Sequence, residues 1–193
     1  MQAQEQHSYS PEEYLKLEEV AEFKSEYYNG QIFPMAGGTP NHNRIAVNLG
    51  SVLNVALADQ DYDVFISDMR LWIPRAGLYT YPDVMVVSGQ LEFAEGRRDT
   101  ITNPLMITEV LSESTANYDR GEKFKLYRTI SSLKEYIIIS QSDKQVEQFS
   151  KTIDNKWILS EYDEENAVLA LTCIQFQISL LDIYDKVDFE FNE

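Results

Sequence analysis

Leu105-Met106-Ile107-Thr108-Glu109-Val110-Leu111 is an apolar run that contains one acid. Its length and its β-branched and apolar residues predict a buried strand of a sheet. Because alternate residues of a strand share a face, we expect Glu109 on the same face as Ile107 and Leu111. A buried carboxylate without a partner is costly or takes up a proton, so Glu109 needs a partner.

A second acid occupies a similar position upstream, in Tyr81-Pro82-Asp83-Val84-Met85-Val86-Val87. Asp83 opens a predicted strand of β-branched and apolar residues. Two acids on buried strands suggest that a cation is shared between them.

Composition restricts the class of protein. The 193 residues fit one domain, residues 1–193, that can bury a core without disulfides, and the one cysteine, Cys173, cannot form an internal disulfide. The N-terminus does not resemble a signal peptide, and no apolar run approaches the roughly 20 residues of a membrane span. We therefore expect a cytoplasmic protein that does not contact a membrane.

The formal net charge of −16 argues against a protein that coats nucleic acid, because phosphate contacts require a basic surface. The segment from Arg120 to Arg128 is locally basic, however, and Arg97-Arg98 adds a second small basic spot. Any contact with a polyanion is therefore expected to be local.

The sequence of the N-terminal half predicts both helices and strands. Ser10-Pro11-Glu12-Glu13 is a capping box that begins a helix to about Glu19, and Asn29-Gly30 between aromatic and β-branched residues predicts a hairpin that contains Glu26. Helical spacing of apolar residues extends from Asn41 to about Asp59. The predicted strands are Tyr62 to Ile66, Arg70 to Ile73, Tyr81 to Val87 and Met106 to Leu111.

The C-terminal half predicts a strand, a helix and a further strand. Asp119 can cap a helix, with Glu122 as its reciprocal partner, that runs to about Ile130. Tyr136 to Ile139 is the next strand, so a right-handed crossover is expected. Val146 to Ile183 alternates polar and apolar residues like a meander of strands. The whole pattern predicts an α/β (α+β) domain.

Helical geometry selects one lysine as a candidate site residue. Lys123 shares a helix face with Tyr127, whereas Lys125 lies about 200° around the axis at ~100° per residue. Lys123 is therefore expected to lean toward the sheet, beside Asp83 and Glu109. Two inward carboxylates with water and substrate phosphate are a usual way of holding Mg²⁺.

These residues lie in motifs that occur in a specific order and cover about Ser10 to Ile139. The motifs are Glu26-Tyr27-Tyr28-Asn29-Gly30-Gln31-Ile32, His42, Pro82-Asp83, Glu109-Val110-Leu111-Ser112 with Ser114-Thr115, Asp119-Arg120-Gly121-Glu122-Lys123, Tyr127, and Glu135-Tyr136. The ordered set resembles the Uma-type restriction endonucleases of the PD-(D/E)XK superfamily.

The resemblance implies a restriction-endonuclease-like core, in which helices flank a central mixed sheet. It also implies hydrolysis of DNA phosphodiesters with Mg²⁺, or with Mn²⁺ in its place. By resemblance, Asp83 and Glu109 bind the metal, Glu26 adds a carboxylate, and Lys123 acts at the scissile phosphate. His42 and Arg120 are candidates for substrate binding. The sequence departs from the superfamily pattern at Leu111, where a lysine would stand, and the resemblance places the functional lysine at Lys123. A homodimer would supply two sites for the two strands of a duplex.

Each candidate also has a structural interpretation. Glu109 could be neutralised by Lys123 or Arg70 without any metal, and Asp83 could cap a turn after Pro82. Lys123 could be an exposed helix cation, Glu26 a solvated hairpin residue, and His42 a capping or surface residue.

Two classes of function remain open at the sequence level. One is a metal-dependent nuclease, and the other is a catalytically inactive member of the same fold that acts as a binding or structural module. Hydrolysis of a small phosphoester would require a closed pocket, which sequence does not reveal.

Overall fold

The apolar run around Glu109 forms the strand Met106–Leu111, which is buried along its whole length. The computed structural model describes residues 7–112, 115–164 and 166–190. Ser114 of the motif set and most of the polar N-terminal segment from Met1 to Tyr9 lie outside these residues.

The strands and helices are short and alternate along the chain. The strands are β1 (Ser25–Tyr28), β2 (Gln31–Pro34), β3 (Tyr62–Ile66), β4 (Arg70–Ile73), β5 (Leu78–Thr80), β6 (Val84–Ser88), β7 (Thr100–Ile101), β8 (Met106–Leu111), β9 (Glu135–Ser140), β10 (Val146–Lys151), β11 (Trp157–Tyr162), β12 (Val168–Ala170) and β13 (Gln177–Ser179). The helices are α1 (Pro11–Glu18), α2 (Pro40–Ala56), α3 (Ala116–Tyr118), α4 (Phe124–Tyr127) and α5 (Leu180–Ile183), and a π-helical turn, Asp119–Lys123, joins α3 to α4.

A six-stranded mixed sheet, in the order β11-β10-β9-β8-β6-β3, forms the centre of the structure. In this sheet β8 pairs antiparallel with β6 and parallel with β9. The parallel pair is joined by the helical segment from α3 to α4, which confirms the predicted strand, helix and strand. Antiparallel pairing with β6 places the end of β8 that carries Glu109 beside the start of β6.

The two faces of β8 pack into different parts of the core. Ile107 and Leu111 join a cluster that includes α4, β4 and β5, whereas Met106 and Val110 pack against α2 and the C-terminal segment. This division confirms the predicted faces. The side chain of Glu109 therefore belongs to the side of the sheet covered by α4 and by the second sheet.

That second sheet has the order β2-β1-β5-β4-β7. Its outer hairpin is the one predicted from Asn29-Gly30, and both residues have positive φ, +45° and +90°, as a two-residue hairpin turn requires. Tyr27 of β1 pairs with Tyr79 of β5. This register brings Glu26 next to Thr80.

The caps of α1 and α2 follow from their sequences. Ser10 and Glu13 form the predicted capping box of α1, and the Thr39 hydroxyl accepts the backbone N–H of His42 at the start of α2. The longest helix, α2, has 17 residues. Among the helices described, none combines the length and apolar character needed to cross a membrane.

Three sequence predictions about element boundaries were wrong. Asp119 does not cap a helix: the helical segment begins at Ala116, and Asp119 is buried inside the π-helical turn. That segment ends at Tyr127 rather than Ile130. The strand predicted from Tyr81 to Val87 begins only at Val84, because Pro82 cannot donate to a strand ladder, and β6 then ends at Ser88.

The C-terminal meander is attached to the central sheet by a buried carboxylate, Glu135, at the start of β9. Its oxygens accept the backbone N–H groups of Thr172 and Cys173 at 3.1–3.2 Å, and the side-chain amide of Gln148 also donates to it. Hydrogen bonds to a buried charge are stronger than neutral ones. Glu135 therefore serves the stability of the fold.

We predict that Glu135→Ala lowers the free energy of unfolding by about 3 kcal/mol or more, because it leaves several buried donors without an acceptor. Urea denaturation followed by circular dichroism measures the effect. Glu161→Ala, at an exposed position of β11, is the matched control and should change stability by less than about 0.5 kcal/mol. Equal stabilities for the two variants would contradict the role given to Glu135.

Candidate active site

The two predicted metal ligands, Asp83 and Glu109, lie on neighbouring chain segments. Val84 of β6 pairs with Thr108 of β8, and the two strands are antiparallel. Asp83 and Glu109 are therefore the next pair of opposed positions. The Oδ2 atom of Asp83 accepts the backbone N–H of Val110 at 2.8 Å. This hydrogen bond holds the Asp83 carboxylate against the strand that carries Glu109.

The ammonium group of Lys123 lies among carboxylates from three parts of the fold. Its Nζ atom is 3.0 Å from Oε1 of Glu109, 3.1 Å from Oε1 of Glu26 and 3.7 Å from Oδ1 of Asp119. Only 8% of the Lys123 side chain is exposed. A single buried cation therefore connects the central sheet, the second sheet and the π-helical turn.

His42 is placed on Asp83 by the first turn of α2. Its Nε2 atom lies 2.8 Å from Oδ1 of Asp83. Burial acts to lower the pKa of His42, but the hydrogen bond and charge of Asp83 outweigh burial and raise this pKa above its ordinary value. The contact with Asp83 therefore favours the protonated form of the imidazole.

Two hydroxyl groups complete the hydrogen bonds of the acids. Tyr127 donates to Oε1 of Glu109 at 2.5 Å, so this oxygen contacts both Tyr127 and Lys123. Thr80 donates to Oε1 of Glu26 at 2.5 Å, which follows from the pairing of β1 with β5. Glu26 and Glu109 are therefore held in fixed positions by neighbours on other elements.

The cluster has more acids than cations. The pKa of Glu109 is raised to about 8, chiefly by burial; the charge of Lys123 opposes this shift, and the charges of Asp83 and Asp119 add to it. Burial also raises the pKa of Asp119, and the surrounding carboxylates raise the pKa of Lys123 despite its burial. The carboxylates therefore favour the charged form of the Lys123 ammonium, whereas burial and the neighbouring acids disfavour full ionisation of Glu109. An added divalent cation would relieve this excess of negative charge.

The donor set suits a hard divalent cation that keeps part of its water shell. Asp83 and Glu109 supply oxygen ligands, and the contacts of the Glu109 side chain with Tyr127 and Lys123 both use Oε1. Within residues 7–112, 115–164 and 166–190, no three His, Cys, Asp or Glu side chains form a group that could enclose a metal. Mg²⁺ is commonly held by one or two carboxylates with water and substrate phosphate, which fits two acids better than a closed protein cage.

The structure brings together five of the six residues proposed from sequence: Glu26, His42, Asp83, Glu109 and Lys123. Arg120 is not in this cluster, because its Nε atom donates to Oε1 of Glu147 on β10 at 2.6 Å.

Sequence reasoning did not assign a site role to Asp119, Tyr127 or Thr80. Asp119 and Tyr127 lie four residues on either side of Lys123, so helical spacing could have found both. Thr80 had no local signal, because only the strand register places it beside Glu26.

The structure also decides between several of the alternative interpretations. Lys123 is not an exposed helix cation, and Glu26 is not a solvated hairpin residue, since their side chains are 8% and 16% exposed. Arg70 does not neutralise Glu109, because its Nε atom donates to the Tyr81 hydroxyl at 2.8 Å. The ion pair between Lys123 and Glu109 is present, and it is compatible with a metal site.

Comparison with known proteins finds relatives that share this chain's sequence and a solved structure that shares its fold. Residues 11–183 match the Uma2 family model, described as "Putative restriction endonuclease". The "Uncharacterized protein sll1609" of Synechocystis sp. is 46% identical over 155 residues, covering 80% of this chain and 88% of that protein. The "Uncharacterized protein slr1290" of the same organism is 36% identical over 182 residues, covering 93% of each chain.

A solved structure shares the fold. It is the crystal structure of "a putative nuclease belonging to DUF820" from Anabaena variabilis, with a TM-score of 0.74 and 18% identity, covering 90% of this chain and 96% of that one. The match confirms the predicted α+β fold, with a central mixed sheet flanked by helices. On the strength of the family match across residues 11–183, the chain belongs to the Uma2 family, whose description is "Putative restriction endonuclease".

Proposed function

We propose that this protein is a Mg²⁺-dependent endonuclease that hydrolyses DNA phosphodiester bonds, with Mn²⁺ able to replace Mg²⁺. The observation that carries the proposal is the buried contact of Lys123 with Glu109 and Glu26, next to Asp83, in a member of a family described as restriction endonucleases. The fold alone would not support this proposal, because one fold can carry many functions.

Asp83 and Glu109 are the residues proposed to hold the metal. When bound, a divalent cation lowers the pKa of a coordinated water and stabilises charge on the phosphoryl oxygens. The hydrogen bond from Val110 N–H orients Asp83, and Tyr127 and Lys123 orient Glu109. Catalysis therefore depends on carboxylates that are already in place before substrate arrives.

Lys123 is proposed to act on the scissile phosphate. Its ammonium remains charged in the cluster, so it can neutralise a phosphate oxygen or orient the attacking water. Glu26 contacts the same ammonium and is fixed by Thr80. In this proposal Glu26 holds Lys123 in place and adds a carboxylate beside the metal.

His42 and Arg120 are proposed to contact the DNA backbone. His42 is 20% exposed at its side chain and is biased toward the imidazolium form, which can donate to a phosphate oxygen. Arg120 is 38% exposed and lies outside the buried cluster, where it pairs with Glu147. These positions fit a local, rather than a general, contact with polyanions.

We further propose that the protein acts as a homodimer in the cytoplasm. Two copies related by a two-fold axis would present one site to each strand of a duplex. Light scattering with size-exclusion chromatography measures the state of the free protein and of its DNA complex.

A catalytically inactive module is the second candidate function. The observation that favours it is the net charge of −16, which opposes broad contact with nucleic acid. In that case the acids and Lys123 would form only a structural ion-pair cluster. The two candidates differ in their response to metal and in cleavage.

We predict that saturating Mg²⁺ or Mn²⁺ raises the melting temperature of the wild-type protein. A cation at about 100 times its Kd should raise it by about 5–10 °C, because binding stabilises only the folded state. Asp83→Asn should lose the shift, whereas Asp68→Asn should keep it, since Asp68 is an exposed acid paired with Lys24. Differential scanning fluorimetry with and without metal measures it, and an undiminished shift in Asp83→Asn would remove Asp83 from the ligand set.

We predict that the wild-type protein cleaves plasmid or oligonucleotide duplex with Mg²⁺ or Mn²⁺ and not with EDTA. Lys123→Ala should lower the cleavage rate by about 10²–10³-fold, since it removes a preorganised charge from the site. Lys125→Ala is the matched control, because Lys125 is 66% exposed and should leave the rate nearly unchanged.

Glu109→Ala completes the same assay. Loss of cleavage is expected, because this variant lacks one of the two proposed metal ligands. Cleavage that persists in Glu109→Ala would identify a contaminating nuclease. Absence of cleavage by the wild-type protein on duplex and single strands with both metals would instead favour the inactive module.

A further inference from the structure

One carboxylate oxygen of Glu109, Oε1, contacts two side chains. Oε1 accepts the Tyr127 hydroxyl at 2.5 Å and lies 3.0 Å from Nζ of Lys123. Both partners come from the same helical segment, four residues apart, so they reach the carboxylate from one side. The second oxygen, Oε2, takes no part in these contacts.

The Tyr127 hydroxyl is held in this position by packing. Tyr127 is fully buried, and its ring meets Tyr136 edge to face with the ring centroids 5.3 Å apart. It belongs to the core cluster between the two sheets, together with Ile107 and Ile138. A ring packed in this way cannot withdraw its hydroxyl from Glu109 without disturbing the core.

Glu109 would behave differently without this hydroxyl. A carboxylate that has Lys123 as its sole partner can rotate and offer either oxygen to the ammonium. The hydroxyl adds a second, directional donor to the same oxygen, and this fixes the orientation of the carboxylate plane. Oε2 is then the oxygen available to a divalent cation.

We propose that Tyr127 is a positioning residue, whose hydroxyl holds Oε1 of Glu109 so that Oε2 is presented to the divalent cation. This inference rests on the proposed function, since it requires that Glu109 binds metal. Tyr127 acts through Glu109 and does not itself touch substrate. Donors behind a metal ligand typically change metal affinity by about 10–100-fold when they are removed.

The test is isothermal titration calorimetry, in which Mn²⁺ is added to the full-length protein without DNA. Tyr127→Phe keeps the ring and removes the hydroxyl, so the Kd for Mn²⁺ should rise by about 10–100-fold. The matched control is Tyr184→Phe, which removes a buried hydroxyl that donates to the Gln145 carbonyl at 2.8 Å. Tyr184 packs in the cluster on the other side of the central sheet, and its variant should bind Mn²⁺ like the wild type.

A Mg²⁺ titration of cleavage gives a second measurement. Tyr127→Phe should need a correspondingly higher Mg²⁺ concentration for its half-maximal rate. At saturating Mg²⁺ its rate should be closer to that of the wild type than at low Mg²⁺. Circular dichroism at the titration temperature checks that each variant is folded.

The outcomes separate the two proposals. If the wild-type protein binds no Mn²⁺, the proposed metal site itself is wrong. If the wild type binds Mn²⁺ and Tyr127→Phe binds it equally well, the positioning role alone is overturned. An equal loss in Tyr127→Phe and Tyr184→Phe would assign the effect to packing and would also overturn that role.

Discussion

The buried ammonium of Lys123 is the interaction on which the arrangement of the site depends. Removing such a charge from water is costly, and an ion pair alone often fails to offset this cost. Here the ammonium contacts carboxylates from β1, β8 and the π-helical turn. The same contact that compensates for burial therefore joins both sheets to the helical segment, and the acids that surround it are brought within reach of each other.

The central sheet holds the carboxylates of the site in fixed positions. β8 lies inside the sheet, with β6 on one side and β9 on the other, and its two faces are covered by separate parts of the core. Asp83 immediately precedes β6, and its carboxylate accepts a hydrogen bond from the backbone of β8. Functional groups carried on packed strands hold their positions more closely than groups on loops, and this suits a site built from few ligands.

The π-helical turn gives the helical segment a wider step at the point where it faces the sheet. Asp119 and Lys123 are both buried within it, and Tyr127 follows on the same side at the end of α4. Turns of this type occur often at functional sites. The net charge of −16 is compatible with this design, since an excess of acid attracts a cation to the cluster.

Local sequence determined which segments form strands and helices, and which way their side chains point. The apolar run around Glu109, the Asn29-Gly30 hairpin and the inward side of Lys123 could all be predicted, because periods of 2 and 3.6 residues act over short distances. Helix boundaries were less secure, and Asp119 was misassigned as a cap because its burial depends on neighbours far along the chain.

Tertiary structure decided which of these groups meet. The contacts of His42 with Asp83, of Thr80 with Glu26 and of Tyr127 with Glu109 join residues 41, 54 and 18 positions apart. Strand register and the packing of two sheets place these pairs, and no local pattern encodes them. The sequence by itself therefore determined the elements and the candidate acids, whereas only the packed fold selected the oxygen of Glu109 that Lys123 and Tyr127 share.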